Sequence, residues 1–551
     1  MVGESPEAIA IDGQYGQTTY EQLAETVETA AAALRRAGLG PAALVRIAGP
    51  AGPAQVSNLL AAWRCGAVTW LEESPGQDGE VQVDGWETAP ADIAAAVQDL
   101  ASHKRDEVLA AGGGYLVRSS GSTGRRKLIL GSYRSLSAFV AWQRAEFGVA
   151  APDRIAAVTY TGFDVVYREL LVAVTSGATL VCPPPRPRPS AMLAWMAQTR
   201  CTVVHMVPSI ARFWLTVTPD DAVARPDLRV TFFAGEPLDG GLTGRWWTRT
   251  GTKQMVLNLY GPSETTLAKF CYRVPRSARR RLPVGSPLPG TTVAITDPRT
   301  GTALPDGEVG EVVITTRDGT LGYLGLLPEA AAGRLEIGPQ SVTFRTGDLG
   351  RLQPEGLMLL GRVDSRLKIN GMWVDPHDIE RVLREHEAVD DAAVITVRDG
   401  GQPRLNAFVA TRLNPPASQL RSHVLHCLGT HSVPTRITTI PHLPRLSTGK
   451  VDRLGLLAMA RSDQESEEST VDDTVEVLIK RIREVIGSAL GVEVPADADM
   501  LEHGLDSLAA LELCAVLEDE LEIHCTLEEV FEHPVPRDLA RLLHSRLTEA
   551  I

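Results

Sequence analysis

Residues 462–472 read SDQESEESTVD, a run of carboxylates, hydroxyls and one amide with a single apolar side chain, Val471. Such a run cannot bury enough surface to offset the entropy of ordering it, so it is expected to join folded parts rather than belong to one. It cuts the chain into a long N-terminal piece and a tail. In the tail, Val475, Leu478, Ile479, Ile482, Val485, Ile486 and Ala489 recur at spacings of three and four, the apolar stripe of an amphipathic helix. A further helix is expected from Ser507 and a last one after Pro536. Residues 473–551 should then form a small, independent all-α bundle of four helices.

At 551 residues the whole chain is too long for one ordinary domain and suggests three or four packed units. Up to about residue 350, helical periods such as Tyr20–Leu34 alternate with short β-type runs at Val230–Phe233, Val293–Ile295 and Val312–Ile314. That alternation predicts a large α/β part with mostly buried sheets. The proline-dense run Pro183–Pro189 must be extended or turning. A small α+β part is expected beyond Gly361, from a strand at Arg366–Ile369, a helix at Pro376–Glu385 and a strand at Ala392–Val397. The expected division is 1–363, 364–461, a linker at 462–472, and 473–551.

A formal net charge of −14 argues against a protein that chiefly binds nucleic acid or an anionic membrane. Seven scattered cysteines without a CxxC pair give neither a disulfide framework nor a zinc site, and read as reduced thiols of a cytoplasmic protein. The N-terminus has no secretory pattern. No stretch approaches the roughly 20 apolar residues of a membrane span.

The most distinctive chemistry lies at Ser119-Ser120-Gly121-Ser122-Thr123-Gly124-Arg125-Arg126-Lys127, directly after the apolar Tyr115–Val117. Glycines let a loop close around an oxyanion, hydroxyls and backbone N–H groups donate to it, and the basic end offsets its charge. It is not a Walker A loop, because no Gly-Lys-Ser/Thr ends it. Taken alone, it reads equally well as a plain surface loop.

Taken with the rest of the chain, it resembles the phosphate loop of the adenylate-forming superfamily, and the superfamily's other motifs follow in order. Thr18-Thr19-Tyr20-Glu21-Gln22-Leu23 resembles the opening motif, and Asn258 to Thr266, NLYGPSETT, the adenine and magnesium motif. Arg345-Thr346-Gly347-Asp348-Leu349 resembles the ribose motif, Gly361-Arg362-Val363-Asp364 the start of the hinge motif, and Leu446 to Arg453, LSTGKVDR, the motif of the catalytic lysine. The resemblance implies that ATP is bound by Ser119, Gly121, Ser122, Thr123, Gly124, Gly235, Glu236, Asn258, Tyr260, Gly261, Ser263, Asp348 and Arg362. It implies catalytic roles for Thr123, Lys127, Glu264 and Lys450.

These roles make physical sense. A carboxylate at Asp348 can accept from both ribose hydroxyls; its plain alternative is a turn aspartate. Glu264 suits Mg²⁺, a hard cation, or else a structural ion pair. Lys450 could stabilise charge building up at the α-phosphate, or else be a surface lysine. The resemblance also implies that the small part swings about Asp364, which is otherwise an ordinary surface acid. In the tail, Gly504-Leu505-Asp506-Ser507-Leu508 resembles the attachment motif of acyl and peptidyl carrier proteins. Ser507 would hold 4′-phosphopantetheine at a helix start, where free N–H groups favour a phosphodiester, and a phosphopantetheinyl transferase becomes an implied partner. The plain alternative makes Asp506 or Ser507 a simple N-cap.

Asp164 falls where the amino-acid adenylation domains of nonribosomal peptide synthetases keep an aspartate for the substrate's α-ammonium, and a structural N-cap is the alternative. The remaining specificity positions project onto Val165, Arg168, His205, Phe232, Ala234, Leu259, Leu267 and Ala268. Several resemble a pocket for serine. Arg168 does not, and a guanidinium there suits an anionic or hydrogen-bonding group, unless it turns outward or pairs with Glu169. The chain departs from the family at Arg126, Leu128, Asn370, His377 and Arg445, and across about 72–110.

The resemblance thus implies an ATP-dependent ligase that makes aminoacyl-AMP and loads the amino acid as a thioester on the arm of its own carrier. With no room for a condensation domain before Thr18 or a thioesterase after Ile551, separate tailoring or condensation enzymes are expected to use it, with an MbtH-like protein as a further candidate partner. Two rivals stay open at this point: an aryl- or acyl-acid ligase loading its own carrier, and a degenerate carrier scaffold.

Overall fold

The computed structural model describes residues 5–549 apart from 15, 50, 73–80, 83–99, 101–103, 121–125, 160–163, 185–186, 220–225, 279–280, 326–332, 364–366, 370–371, 400–401, 447–448 and 522. Its contacts divide the chain into two units, Met1–Arg453 and Leu454–Ile551.

The first unit opens with a helix whose start is written in the sequence. Thr19 accepts from the Gln22 N–H, the Gln22 side chain accepts from the Thr19 N–H, and Tyr20–Arg36 follows. This capping box is the structural content of the TTYEQL motif. From the first helical position, the Tyr20 hydroxyl donates to the Ala178 carbonyl at 2.8 Å and ties the helix to the sheet layer.

A nine-stranded sheet forms the frame. Ile9–Gly13, Thr179–Val181, Arg154–Ala156, Val203–Met206, Val230–Ala234 and Met255–Tyr260 run parallel at its centre. Antiparallel strands Phe270–Arg273 and Ser286–Pro287 close one edge and Gly16–Thr19 the other. Short apolar runs buried on both faces are what a parallel sheet covered by helices requires, and all four residues of Val203–Met206 are buried. A six-stranded sheet contains Gly114–Ser120 and Arg126–Ser132, and a third contains Gly310–Thr316, Val342–Gln353 and Gly356–Arg362. One apolar cluster joins Tyr115 and Ile129 of the second sheet to Phe232 and Leu257 of the first through Val166 and Leu170 of helix Val165–Ser176.

A smaller layer follows, with helix Pro376–Glu385 packed on a three-stranded sheet of Asp391–Asp399, Gln402–Ala410 and Arg436–Ile440. The expected elements appear; strands Thr291–Thr296, Gly310–Thr316 and Asp391–Asp399 extend one or two residues beyond their apolar cores at each end.

In the second unit, Val475, Leu478, Ile479, Ile482, Val485 and Ile486 pack with Leu513, Leu517, Leu539 and Leu543 from helices Ser507–Leu521 and Pro536–Glu549. A short helix, Leu527–Glu532, carries its own capping box.

The backbone of 462–472, expected to join folded parts, is helical and belongs to Arg453–Leu490. Between Gly455 and Gly487 there is no glycine or proline, and glutamate and glutamine are good helix formers. Polarity told against burial there, not against helix. Among the described residues no helix is long and apolar enough to cross a membrane.

Candidate active site

The functional side chains gather where the parallel strands end, at the carboxyl edge of an open α/β sheet. Strand Val230–Ala234 runs into Gly235, in the left-handed region at φ +86°, and Glu236. Strand Met255–Tyr260 delivers Tyr260, whose hydroxyl donates to Asp348. Arg362, directly across from Asp348 in the strand pairing, donates to its other oxygen at 2.9 Å. Burial and the Asp348 charge push the Tyr260 phenol well up, so it remains a donor. Two residues expected at ATP thus converge on the carboxylate of a third. Asn258 does not join them: it is buried and its amide donates to the Pro283 carbonyl at 2.9 Å, tying the strand to the segment before Ser286–Pro287. At Gly261 a Cβ would lie 2.2 Å from the Leu267 carbonyl oxygen, so only glycine lets this loop fold back on itself.

Glu264 is 6 % exposed and its Oε1 accepts from the Tyr323 hydroxyl at 3.0 Å, with Lys127 Nζ 3.5 Å away. Among the described residues no three acidic, histidine or cysteine side chains form a metal cluster. One buried carboxylate beside a lysine fits Mg²⁺ held mainly through a nucleotide's phosphates, as that ion usually is. Lys127 stands across the strand pair from Ser119, whose backbone lies in Gly114–Ser120. Gly121, Ser122, Thr123 and Gly124, and likewise Asp364, lie outside the described residues.

Lys450 sits on a tight turn. The Leu446 N–H donates to the Lys450 carbonyl, and the Gly449 N–H to the Leu446 carbonyl, both at 2.9 Å. Gly449 has φ +79°, and a Cβ there would lie 2.4 Å from Ile210 Cγ1. Glu236 holds Ser209 by its N–H at 2.8 Å and its hydroxyl at 2.9 Å, and that hydroxyl lies 3.1 Å from the Gly449 carbonyl. Arg445 donates to the same carbonyl at 3.0 Å and to Asp391 at 2.7 Å. The family departure at Arg445 thus becomes a strut under the lysine turn. Ser209 carries no motif, and sequence reading passed it over.

Asp164 precedes helix Val165–Ser176 but makes no capping hydrogen bond. Burial pushes its carboxyl up; a hydrogen bond from Ser263 and the charges of Arg168 and Lys450 work the other way, while Glu264 adds to the rise. Residues from three separate segments are therefore electrostatic neighbours here. Arg168 does not turn outward, being 1 % exposed. His205 stacks on Phe232 with ring centroids 4.8 Å apart, and its Nε2 lies 2.6 Å from Gln143 Nε2. Phe232, Leu259, Leu267 and Ala268 are buried in one apolar cluster against which Ala234 packs, and Val165 is half-buried. Gln143 and Tyr323 are further contributors that no local pattern announced.

In the second unit, Asp506 rather than Ser507 caps helix Ser507–Leu521, its Oδ1 accepting from the Leu508 and Ala509 N–H groups at 3.0 and 2.9 Å. Ser507 is exposed at the first helical position, where a phosphopantetheine phosphodiester fits.

Comparison with known proteins adds three family matches: AMP-binding enzyme over residues 2–71 and 76–324, AMP-binding enzyme C-terminal domain over 378–450, and phosphopantetheine attachment site over 480–543. Novobiocin biosynthesis protein H of Streptomyces niveus is 31% identical over 81% of this chain and 73% of its own. An isonitrile lipopeptide synthase of Streptomyces coeruleorubidus is 30% identical over 84% of this chain and 31% of its own. A dimodular nonribosomal peptide synthase of Bacillus subtilis (strain 168) is 27% identical over 97% of this chain and 24% of its own. The chain thus spans a third or less of those two synthases. Among solved structures, NpsA of Klebsiella oxytoca with 3-hydroxyanthranilyl-AMSN aligns at TM-score 0.68 and 22% identity, covering 83% of this chain and 96% of that one. A four-domain nonribosomal peptide synthetase, holo-AB3403 with AMP and glycine, aligns at TM-score 0.67 and 18% identity, covering 99% of this chain and 42% of that one. At such identities the likeness concerns the fold alone.

Proposed function

Because this chain belongs to the AMP-binding enzyme family and carries a phosphopantetheine attachment domain, it is an adenylate-forming ligase joined to a carrier, and we propose that the acid it activates is an L-amino acid. Enzymes of this kind use ATP and Mg²⁺, and the carrier takes phosphopantetheine from a transferase. In the reading we favour, the amino acid's carboxylate attacks the α-phosphate, giving aminoacyl-AMP and pyrophosphate. Lys450 offsets the charge that builds up on the phosphate, Asp348 with Tyr260 and Arg362 receives the ribose, and Glu264 orients the nucleotide through Mg²⁺. When bound, the phosphopantetheine arm supplies a thiol to accept the aminoacyl group with release of AMP. Enzymes of a nonribosomal peptide pathway would then use the loaded carrier, and an MbtH-like helper belongs to the same proposal.

The observation that carries the amino-acid reading is Asp164. It is a buried carboxylate that caps nothing and whose charged form burial disfavours by more than Ser263, Arg168 and Lys450 restore, and a buried acid of that kind is costly without a further cation to meet. An α-ammonium is such a cation. Neither a fatty acid nor a simple aryl acid brings one. ATP–pyrophosphate exchange with L-amino acids and with benzoate-type acids tests this directly. Exchange that needs an amino acid and is lost in Asp164→Ala supports the proposal; exchange driven by aryl acids and indifferent to Asp164 overturns it.

A further inference from the structure

Arg168 sits four residues after Asp164 on the same helix, hence on the same face, with Cβ positions about 5–6 Å apart at that spacing. Its guanidinium is 1 % exposed, and neither Nε nor Nη2 has a hydrogen-bond partner. The adjacent acid does not account for it. Both Glu169 oxygens are engaged at Thr159, one by the N–H at 3.1 Å and the other by the hydroxyl. Burial, only partly offset by those hydrogen bonds and by Arg168, pushes the Glu169 carboxyl up to about 8, which weakens it as a charge partner for Arg168. Arg168, though burial lowers it to about 10, keeps its charge.

The neighbouring polar groups are unmatched as well. His205, fully buried, has Nε2 against Gln143 and Nδ1 without a partner, and Gln143 Oε1 also has none. Burial first, and the Arg168 charge second, hold the His205 imidazole well below its usual range, so it is neutral. Asp164 and Glu169 act on the Arg168 charge, but buried guanidinium N–H groups and an imidazole edge left without partners beside an apolar cluster of Phe232, Leu259 and Leu267 are expensive for an unliganded protein. They fit a site completed by something that enters it.

We propose that the activated amino acid carries a second anionic group at the end of a short side chain, a carboxylate, sulfonate or phosphate, received by Arg168 and His205. The proposal rests on the amino-acid reading above, in which Asp164 takes the α-ammonium. With the two ends of the substrate bound by opposite charges one helical turn apart, the side chain is short. Arginine's planar fork suits such an anion in two-point contact. A neutral isostere would leave the guanidinium unpaired, and sites built around a buried polar partner reject analogues lacking it strongly.

The test uses the full chain in ATP–pyrophosphate exchange with L-aspartate, L-glutamate, L-cysteate and O-phospho-L-serine against L-asparagine, L-serine and L-leucine. One anionic amino acid should exceed its neutral counterpart in kcat/KM by about a hundredfold or more, and the identity of the winner separates carboxylate from sulfonate and phosphate. Arg168→Ala should abolish that preference, raising KM for the anionic substrate far more than it lowers kcat, and Arg168→Lys should restore part of it. If Arg168→Ala does not fold, the wild-type preference and Arg168→Lys still decide. Preference for serine or leucine overturns this inference and leaves the amino-acid reading intact; response to aryl acids alone overturns both.

Discussion

Arg212, on helix Pro208–Val217 of the large part, reaches Asp391 of the small sheet at 3.4 Å, and both side chains are almost fully buried. Arg384 and Arg445 reach the same carboxylate at 2.8 and 2.7 Å, while Arg212 also meets Asp239 at 3.1 Å. Burial alone would raise the Asp391 carboxyl; Arg384, Arg212 and Arg445 outweigh it and hold it down at about 2. The folded pKa is therefore below the unfolded one, so its stabilisation is present above about pH 4 and is lost as pH falls toward 2. A depression of roughly two units corresponds to about 2–3 kcal/mol. Asp391→Asn leaves three guanidinium groups facing a neutral amide and should cost about 3 kcal/mol or more. Urea unfolding from pH 7 down to below pH 2 checks this: the variant should be less stable at pH 7 and converge on the wild type only as pH falls to about 2.

The same carboxylate is linked to the lysine turn, because Arg445 donates to both Asp391 and the Gly449 carbonyl. Lys450→Ala should slow pyrophosphate exchange by about 10²–10³-fold, the usual effect of removing one charge-stabilising donor, with unchanged thermal unfolding. Gly449→Ala should slow it too, although no functional group is removed. Alanine is strained at φ +79° and its methyl collides with Ile210, so the turn must shift and carry Lys450 with it. Equal exchange rates in Gly449→Ala and the wild type would refute this account of the turn.

Much of this arrangement could be read from the chain because it is local. The capping box at Thr19 and Gln22 and helix Pro376–Glu385 need only nearby residues. Asp348, Tyr260 and Arg362 were expected together because motifs named each of them, and they meet. What escaped is non-local. Ser209 touches Gly449 across 240 positions, Gln143 meets His205 across 62 and Tyr323 meets Glu264 across 59, and a serine, a glutamine or a tyrosine alone carries no signal. The helical backbone at 462–472 went unread for a different reason: low hydrophobicity reports what cannot be buried, whereas helix formation there depends on the absence of glycine and proline.

Asp164 should show opposite effects on activity and stability. Its carboxyl is pushed up by burial, so the folded pKa exceeds the unfolded one. The fold is then favoured at low pH and loses that contribution as pH rises above about 4. At pH 7 Asp164→Ala should be as stable as the wild type or more so without substrate, since it removes a poorly compensated buried acid. Amino-acid-dependent exchange should nevertheless fall by about 3 kcal/mol, roughly a hundredfold in kcat/KM, for loss of a buried charge partner. Thermal unfolding and exchange kinetics on one preparation measure both, and a variant that loses stability in step with activity would assign Asp164 a structural role instead.

Ser507 separates the two units functionally. Asp506 already satisfies the first N–H groups of helix Ser507–Leu521, so the serine hydroxyl is not needed as a cap, and Ser507→Ala should change stability by no more than about 0.5 kcal/mol, as for an ordinary surface position. Incubation with a phosphopantetheinyl transferase and coenzyme A should add one phosphopantetheine mass to the wild type and none to Ser507→Ala. Exchange, which ends at aminoacyl-AMP, should be the same in both. Covalent capture of radiolabelled substrate should be confined to the modified wild type. Label retained by Ser507→Ala would mean that the acyl acceptor lies elsewhere in the chain, and loss of exchange in that variant would mean that the serine serves the first reaction as well as the second.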